Sequence, residues 1–280
     1  MQRRKDPDRP GSMFPDDARE FMEKNKEGTY ILLDVRQPVE YEEAHLPGAR
    51  LMPLPSLADS LDALDPTKPI LVYCAVGGRS QMAAQMLVHQ GFKDVYHLQG
   101  GIDAWEDATA VGPVEFHLKF VRGDETPEEI VKLAYRMEEG LKKFHEAVRS
   151  RTDDPVFSDL LSGLIKAEES HERTLLGLLP TEEEREMVLK ALSENADKDL
   201  MEGGMNIADF MKENEKFLQS VSGYLELAMM IETQALDLYL RMANECANAE
   251  TKNVLLHIGD EEKAHLSLLA GALEEKWQSR

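Results

Sequence analysis

The sequence has few cysteines, no excess of positive charge and no long apolar run. Its 280 residues contain two cysteines, Cys74 and Cys246, too few for a disulfide framework, which indicates a reducing compartment. The formal net charge of −21 opposes binding to nucleic acid and to anionic membranes. No apolar run approaches the ~20 residues that span a bilayer, and the N-terminus lacks the apolar segment of a signal peptide. We therefore expect a cytoplasmic protein that binds neither nucleic acid nor membrane.

The pattern along the chain predicts two domains of different class. Residues 1–13 are polar, with two prolines and a Gly-Ser pair, and are expected to be a disordered tail. Residues 14–110 alternate short apolar runs with helical stretches, which predicts an α/β domain with a mainly parallel sheet flanked by helices. Residues 111–125 form the expected linker. Residues 126–280 have few prolines and almost no strand signals, which predicts an all-α domain.

Three apolar runs in the first domain are predicted strands, because each is short and is flanked by Gly, Pro, Asp or Lys. They are Ile31–Val35, Ile70–Tyr73 and Val95–Leu98. Between the last two lies a helical pattern over Ser80–His89, which Gly91 is expected to end. The segment between the second strand and this helix is therefore a strand-to-helix loop.

That loop carries a cysteine in a setting that activates thiols. The residues after Cys74 are, in order, Ala75, Val76, Gly77, Gly78, Arg79 and Ser80. Small residues and glycines let successive backbone N–H groups point into one concavity, and the helix N-terminus adds positive potential that favours a thiolate. Arg79 adds a fixed charge that holds an anion or braces the loop. The pattern predicts that Cys74 is a nucleophile, the alternative being an inert cysteine at a strand end. Cys246, on a helix among Ala and Asn, is predicted to be inert.

Three segments of the first domain match the pattern of a known family. They are LLDVRQPVEYEEAHLPGA (32–49), YCAVGGRS (73–80) and LQGGIDAW (98–105). On these segments, residues 14–110 resemble the rhodanese family. The resemblance implies that Cys74 takes a sulfane sulfur from a small donor as a persulfide and passes it to a thiol acceptor.

The length of the cysteine loop separates two related activities. Four residues lie between Cys74 and Arg79, as in sulfurtransferases, whereas the related phosphatases have five. Those phosphatases usually carry His where this chain has Tyr73. The resemblance therefore favours sulfur transfer, and it further implies that Asp34 and Arg36 brace the active-site loop.

The second domain contains a repeat of acidic and imidazole residues. In each of two copies a glutamate is followed after 30 residues by a second glutamate and after 33 by a histidine. The two copies comprise Glu138, Glu168 and His171, and Glu232, Glu262 and His265. Residues three apart share a helix face, so each Glu-x-x-His pair can point inward. Four glutamates and two histidines meeting inside a four-helix bundle are the ligand set of ferritin-like di-iron or di-manganese proteins.

The repeat, and not any single motif, is the evidence for a metal site. Glu42 and His45 also have the Glu-x-x-His spacing, in a strand-to-loop region where helical spacing carries no meaning. Burying four ionised carboxylates without a metal costs many kcal/mol, which favours a metal site. The alternative is a duplicated hairpin whose polar core residues bond to each other without metal. Iron and manganese both accept this ligand set. A polar crossover with Gly203 and Gly204 separates the two copies of the repeat.

Four segments of the second domain carry a further resemblance. They are MEEGLKKFH (137–145), KAEESHERTLL (166–176), IETQALDLY (231–239) and DEEKAHLSLL (260–269). Residues 126–280 resemble the rubrerythrin-like branch of the ferritin-like superfamily, which implies a four-helix bundle, two non-haem iron ions that react with peroxide or dioxygen, and a homodimer through the helical domain. Ala235 stands where rubrerythrins carry a further Glu. His145 stands where many relatives have Tyr, although Tyr239 fits in the second copy.

The two resemblances together predict a sulfurtransferase fused to a non-haem di-iron redox domain, in sulfur metabolism or in peroxide defence. The chain has no four-cysteine rubredoxin module, so redox turnover needs an external electron donor. The alternative is a protein that binds or senses iron or oxidant, whose rhodanese domain is a sulfur carrier or docking module. Ala235 and the missing electron donor favour that alternative slightly.

Overall fold

The computed structural model describes residues 9–114, 126–194 and 207–278, except the side chains of Glu194 and of residues 275–278. The chain divides into two compact units. The first comprises residues 1–116 and 236–241, and the second comprises residues 117–235 and 242–280. Among the described helices, none combines the length and the apolar composition needed to cross a membrane.

The first unit is built on a five-stranded parallel sheet in the order β1-β5-β4-β2-β3. The strands are β1 Gly11–Met13, β2 Ile31–Asp34, β3 Arg50–Leu51, β4 Ile70–Tyr73 and β5 Val95–Leu98. Every residue of the central strands β2 and β4 is buried, as expected for continuous apolar runs in a parallel sheet. The three predicted strands are confirmed, with β2 ending one residue early.

The expectation of a disordered tail over residues 1–13 was wrong for its last three residues. Gly11–Met13 forms the edge strand β1 and pairs in parallel with β5, Gly11 opposite Tyr96 and Met13 opposite Leu98. An edge strand is held by backbone hydrogen bonds to one neighbour, so it needs little apolar sequence. Residues 1–8 lie outside the described part of the chain.

Helices cover both faces of the sheet. They are α1 Pro15–Lys24, α2 Pro38–Glu43 and α3 Gly78–His89, with 3-10 turns at Leu54–Ala63 and Ile102–Ala104. Successive strand residues point to opposite faces. Leu33 thus joins the core beneath α3, whereas Leu32 joins the core on the other side. Glu42 lies within α2, so the expectation of a region without helix there was wrong.

The second unit is helical. Its helices are α4 Pro127–Arg149, α5 Pro155–Gly177, α6 Glu182–Glu194, α7 Ile207–Glu213, α8 Val221–Glu245, whose residues 236–241 are counted with the first unit, and α9 Ala249–Gln278. Thr126 and Glu129 cap α4 reciprocally, each accepting the other's backbone N–H. One hydrophobic core joins α4, α5, α8 and α9 through Phe144, Leu161, Tyr224 and Leu269.

Two expectations for the second unit fall wholly or partly outside the described residues. Residues 115–125 of the predicted linker are among those not described, and so are Gly203 and Gly204 of the predicted crossover. The end of that crossover is helical, because α7 follows and places Ile207 and Met211 in the core. The sequence analysis did not predict this helix.

Candidate functional site

Cys74 lies immediately after β4 and is almost fully buried, with 1% of its surface exposed. Its sulfur accepts the backbone N–H of Gly77 at 3.1 Å and of Ser80 at 3.4 Å, and the hydroxyl of Ser80 lies 3.5 Å away. Gly77 has a φ of +100°, a conformation that favours glycine at this turn of the loop. The loop therefore supplies converging donors that stabilise negative charge on the sulfur.

Arg79 is held by a two-point ion pair with Glu40 on α2. The guanidinium donates from Nη1 to Oε2 at 2.7 Å and from Nη2 to Oε1 at 2.6 Å. These bonds lower the pKa of Glu40 to about 2, and they raise the pKa of Arg79 further above its ordinary value. The sequence analysis missed Glu40, because no local pattern signals a pairing across 39 residues.

Asp34 and Arg36 form a buried ion pair at the end of β2. Arg36 Nε lies 3.0 Å from both carboxylate oxygens of Asp34, and Arg36 Nη2 donates to Asp34 Oδ2 at 2.7 Å. The same guanidinium lies 5.4 Å from the ring centroid of Tyr73, the residue before Cys74. The pair thus packs against the strand end that leads into the cysteine loop.

The turn around Gly101, here called the glycine turn, hydrogen-bonds to the start of the cysteine loop. The backbone N–H of Ile102 donates to the carbonyl of Cys74 at 2.8 Å, and that of Asp103 donates to Ala75 at 3.0 Å. Gly101 has a φ of +63°, and a Cβ there would overlap the carbonyl oxygens of Cys74 and Ala75. The 98–105 segment therefore shapes the loop, although the sequence analysis did not name Gly101 as a site residue. Val76, by contrast, is exposed at the rim of the loop.

His45, whose spacing from Glu42 imitates the repeat, lies in the core of the first unit. Its ring stacks on Tyr41 with centroids 3.6 Å apart, and its Nδ1 lies 2.8 Å from the Tyr41 carbonyl oxygen. Its backbone pairs with Ala110 in both directions. These contacts agree with a structural role.

The helices α4, α5, α8 and α9 bring the six residues of the repeat together inside the second unit. These residues are Glu138, Glu168, His171, Glu232, Glu262 and His265, all of them buried except the partly buried His171. Overlapping groups of three offer nitrogen or oxygen atoms within 4.8 Å of one another. The shortest contacts are His171 Nδ1 to Glu138 Oε2 at 3.0 Å and His265 Nδ1 to Glu232 Oε1 at 3.2 Å. The predicted convergence is therefore observed.

Many polar atoms of this cluster are buried without a hydrogen bond from any described residue. They are both carboxylate oxygens of Glu168 and of Glu232, Oε2 of Glu262 and both ring nitrogens of His265. Such atoms are rare in folded proteins, because each loses its hydration without compensation. A cluster of buried oxygen and imidazole donors fits a divalent ion such as iron or manganese, which would pair with those atoms.

Without a cation, the cluster must hold protons instead. Burial raises the pKa of Glu138 to about 8 and the pKa of Glu262 well above its ordinary value. Burial alone would lower the pKa of His171, but Glu138 and Glu168 outweigh it and raise that pKa to about 11. In the same way, Glu232 and Glu168 raise the pKa of His265 to about 9. A bound cation would displace these protons.

His145 also lies in this cluster, where the sequence analysis recorded only a departure from related proteins. Its Nε2 lies 3.4 Å from Glu168 Oε1, and its Nδ1 lies 2.6 Å from the Tyr224 hydroxyl oxygen. Its position two helical turns after Glu138 is the signal that could have placed it on the same face. Ala235 is buried, and Cys246 follows the end of α8, partly buried, with its sulfur 3.5 Å from Asn248 O.

The comparisons with known proteins concern the first unit. A family described as the rhodanese-like domain matches residues 15–108, all of which lie in the first unit. Over 87 residues, the chain is 41% identical to the thiosulfate sulfurtransferase GlpE of Coxiella burnetii. The alignment covers 31% of this chain and 81% of that protein.

Two solved structures also match. A rhodanese-like domain protein from Staphylococcus aureus is 25% identical, covering 36% of this chain and 97% of its own, with a TM-score of 0.34. A rhodanese-related protein from Thermoplasma volcanium is 26% identical, covering 36% of this chain and 98% of its own, with a TM-score of 0.33. The sequence identity to the Coxiella protein, over most of that protein's length, shows that the chain belongs to the rhodanese family through residues 15–108.

Proposed function

We propose that the first unit is a sulfurtransferase that carries sulfane sulfur on Cys74. The observation that carries the proposal is the set of donors from Gly77 and Ser80 that converge on the Cys74 sulfur. The same donors would stabilise the charge of a persulfide at that position. Thiosulfate is the first candidate donor, because the related Coxiella protein is named for it.

The transfer takes two displacement steps at sulfur. The Cys74 thiolate attacks the outer sulfur of thiosulfate, the S–S bond of the donor breaks, and sulfite leaves with the bonding electrons. The cysteine is then a persulfide. The thiolate of a small acceptor attacks the outer sulfur of that persulfide, takes it up, and restores the Cys74 thiolate. Arg79, paired at two points with Glu40, would brace the loop that holds the sulfur.

The two cysteines of the chain provide a matched test. With thiosulfate as donor and a thiol as acceptor, Cys74→Ser should abolish transfer, whereas Cys246→Ser should keep it. Mass spectrometry of the intact protein after donor addition should show one added sulfur atom in the unmodified chain and in Cys246→Ser. Transfer that persists in Cys74→Ser would overturn the nucleophile assignment.

We propose that the second unit is a ferritin-like, rubrerythrin-like domain that holds two non-haem iron ions, with manganese as the other candidate. The support is the convergence of Glu138, Glu168, His171, Glu232, Glu262 and His265, with unbonded oxygens and nitrogens at their centre. These six residues would hold the ions. A bound iron pair would supply redox chemistry toward peroxide or dioxygen. Leu141 and Ile231, on the helices that carry Glu138 and Glu232, are themselves buried.

Metal content tests this part of the proposal directly. Protein purified without oxygen should contain iron or manganese and should lose it in the double variant His171→Ala, His265→Ala. The control is His257→Ala, because His257 lies on α9 like His265 but is well exposed. Unmodified protein that binds neither ion, when offered each in excess, would refute the metal site.

A binding or sensing protein is the second candidate function. Ala235 is buried on α8 and carries no donor atom, and the chain has no cysteine-rich electron-transfer module. With an added reductant, steady-state peroxide consumption supports a peroxidase that uses an external electron donor. A single stoichiometric oxidation without turnover supports the sensor. We also propose a homodimer through the helical unit, which sedimentation of the full chain tests.

A further inference from the structure

We propose that His145 is an additional ligand of the metal cluster and that Tyr224 positions its imidazole for binding. This inference rests on the proposed metal function of the second unit. It goes beyond the six-residue repeat, because His145 belongs to neither copy of it.

The position of His145 suits a ligand. It is fully buried on α4, and its side chain lies on the face of that helix that carries Glu138. His145, Glu168 and Glu232 offer one atom each within 4.8 Å of one another. Ligands of one ion with bonds of ~2.1 Å lie about 3 Å apart when adjacent and about 4.2 Å apart when opposite. The 3.4 Å between His145 Nε2 and Glu168 Oε1 lies within this range, and Glu232 needs only a small shift to join them on one ion.

A third partner shared by His145 and Glu168 would account for two buried atoms that have no hydrogen bond. The atoms His145 Nε2 and Glu168 Oε1 are 3.4 Å apart, yet neither has a hydrogen-bond partner among the described residues. Both atoms are buried, so each has lost its hydration without compensation. A cation bound by both would satisfy them, and Glu232 offers an oxygen in the same group.

Tyr224 holds the second ring nitrogen of His145. The hydroxyl oxygen of Tyr224 lies 2.6 Å from His145 Nδ1. When Nδ1 carries the proton and donates it to this oxygen, Nε2 presents its lone pair to the cluster. Metal-bound histidines commonly have their second nitrogen bonded in this way, which fixes the tautomer and the direction of the ring.

The core holds Tyr224 rigidly enough for this role. Its ring packs edge-on to Phe157 with centroids 5.2 Å apart and stacks with Phe144 at 6.1 Å. In this proposal Tyr224 acts through His145, whose Nδ1 lies beside its hydroxyl. It is therefore a positioning residue.

The test uses zinc as a diamagnetic probe of the full chain. The chain has eight histidines, so long-range ¹H–¹⁵N spectra of histidine-labelled protein are simple enough to assign by single variants. On zinc addition, the Nε2 resonance of His145 should move to the position of a metal-bound nitrogen, together with resonances of His171 and His265. His257 should not move. The His145 signals are assigned by their absence from His145→Gln.

Zinc affinity provides the second measurement. His145→Gln should weaken binding at one site by about 10-fold or more, and Tyr224→Phe should weaken it by about 10-fold, the range seen when a ligand's supporting partner is removed. Tyr224→Phe should also shift the His145 resonances in the metal-bound form. Thermal unfolding of the metal-free variants controls for damage to the fold.

The outcomes separate this inference from the proposed function. If His171 and His265 shift with zinc while His145 Nε2 stays at the position of an unbound nitrogen, the ligand assignment of His145 is overturned and the metal site stands. A His145 that only links Tyr224 to Glu168 by hydrogen bonds would give that result. If none of the three histidines shifts, the metal function itself fails.

Discussion

The ion pair between Glu40 and Arg79 gives a prediction whose size can be worked from the structure. Glu40→Gln keeps an oxygen that can accept the Gln37 backbone N–H, which Glu40 now accepts at 2.9 Å, but it removes the charge that holds Arg79. The pair is bidentate, with side chains 35% and 28% exposed. Exposed pairs contribute 0.2–1 kcal/mol, and two-point geometry lies at the upper end, so the variant should destabilise the first unit by about 1 kcal/mol.

The effect should depend on pH with a definite sign. Because the folded-state pKa of Glu40 is lowered from 4.5 to about 2, the stabilisation is complete above pH 4.5 and is lost as the pH falls through about 2. Urea unfolding followed by Trp105 fluorescence in a Trp277→Phe background reports on the first unit. The control is Glu43→Gln, an exposed change at the end of the same helix. Equal stability of Glu40→Gln and Glu43→Gln at pH 7 would refute the reasoning.

Two further predictions follow from the glycine turn and from the protonated cluster. Gly101→Ala should destabilise the first unit by about 2 kcal/mol or more, because the positive φ and the overlap of a Cβ with the Ala75 carbonyl both oppose a side chain. Gly78→Ala, which has open space at its Cβ, should cost less. Urea unfolding compares the two variants, and equal losses of stability would contradict this account. Metal affinity should rise as the pH rises from 6 to 8, because binding displaces protons from groups such as Glu138, whose pKa is about 8. Competition with a chelator of known pH dependence measures this, and a flat or falling affinity would show that those protons are not displaced.

The sequence predicts the central strands well and the edge strands poorly. Ile31–Asp34 and Ile70–Tyr73 are buried on both faces of the sheet, so they can be recognised in the sequence as short apolar runs. Gly11–Met13 and Arg50–Leu51 are short and carry no continuous apolar run, and each is defined by backbone pairing with one neighbouring strand. Such pairing leaves no local pattern to detect.

The same distinction applies to the candidate sites. The six residues of the repeat could be predicted to converge, because helical spacing fixes which residues share a face. The cysteine loop was also readable, since its glycines and its place between strand and helix are local. The contact of Glu40 with Arg79, and that of Tyr224 with His145, join distant segments of the chain. Only the packed structure reveals contacts of that kind.

The burial of the Cys74 sulfur has a consequence for selectivity. With 1% of its surface exposed, the resting thiol is shielded from bulky alkylating agents and from chance oxidation. Loading adds a second sulfur about 2 Å further out, which carries the reactive end of the chain toward the loop rim. Shielding would thus be weaker once cargo is present, so that acceptors meet an accessible outer sulfur, whereas the empty thiol reacts with a small donor and is kept from bulky reagents.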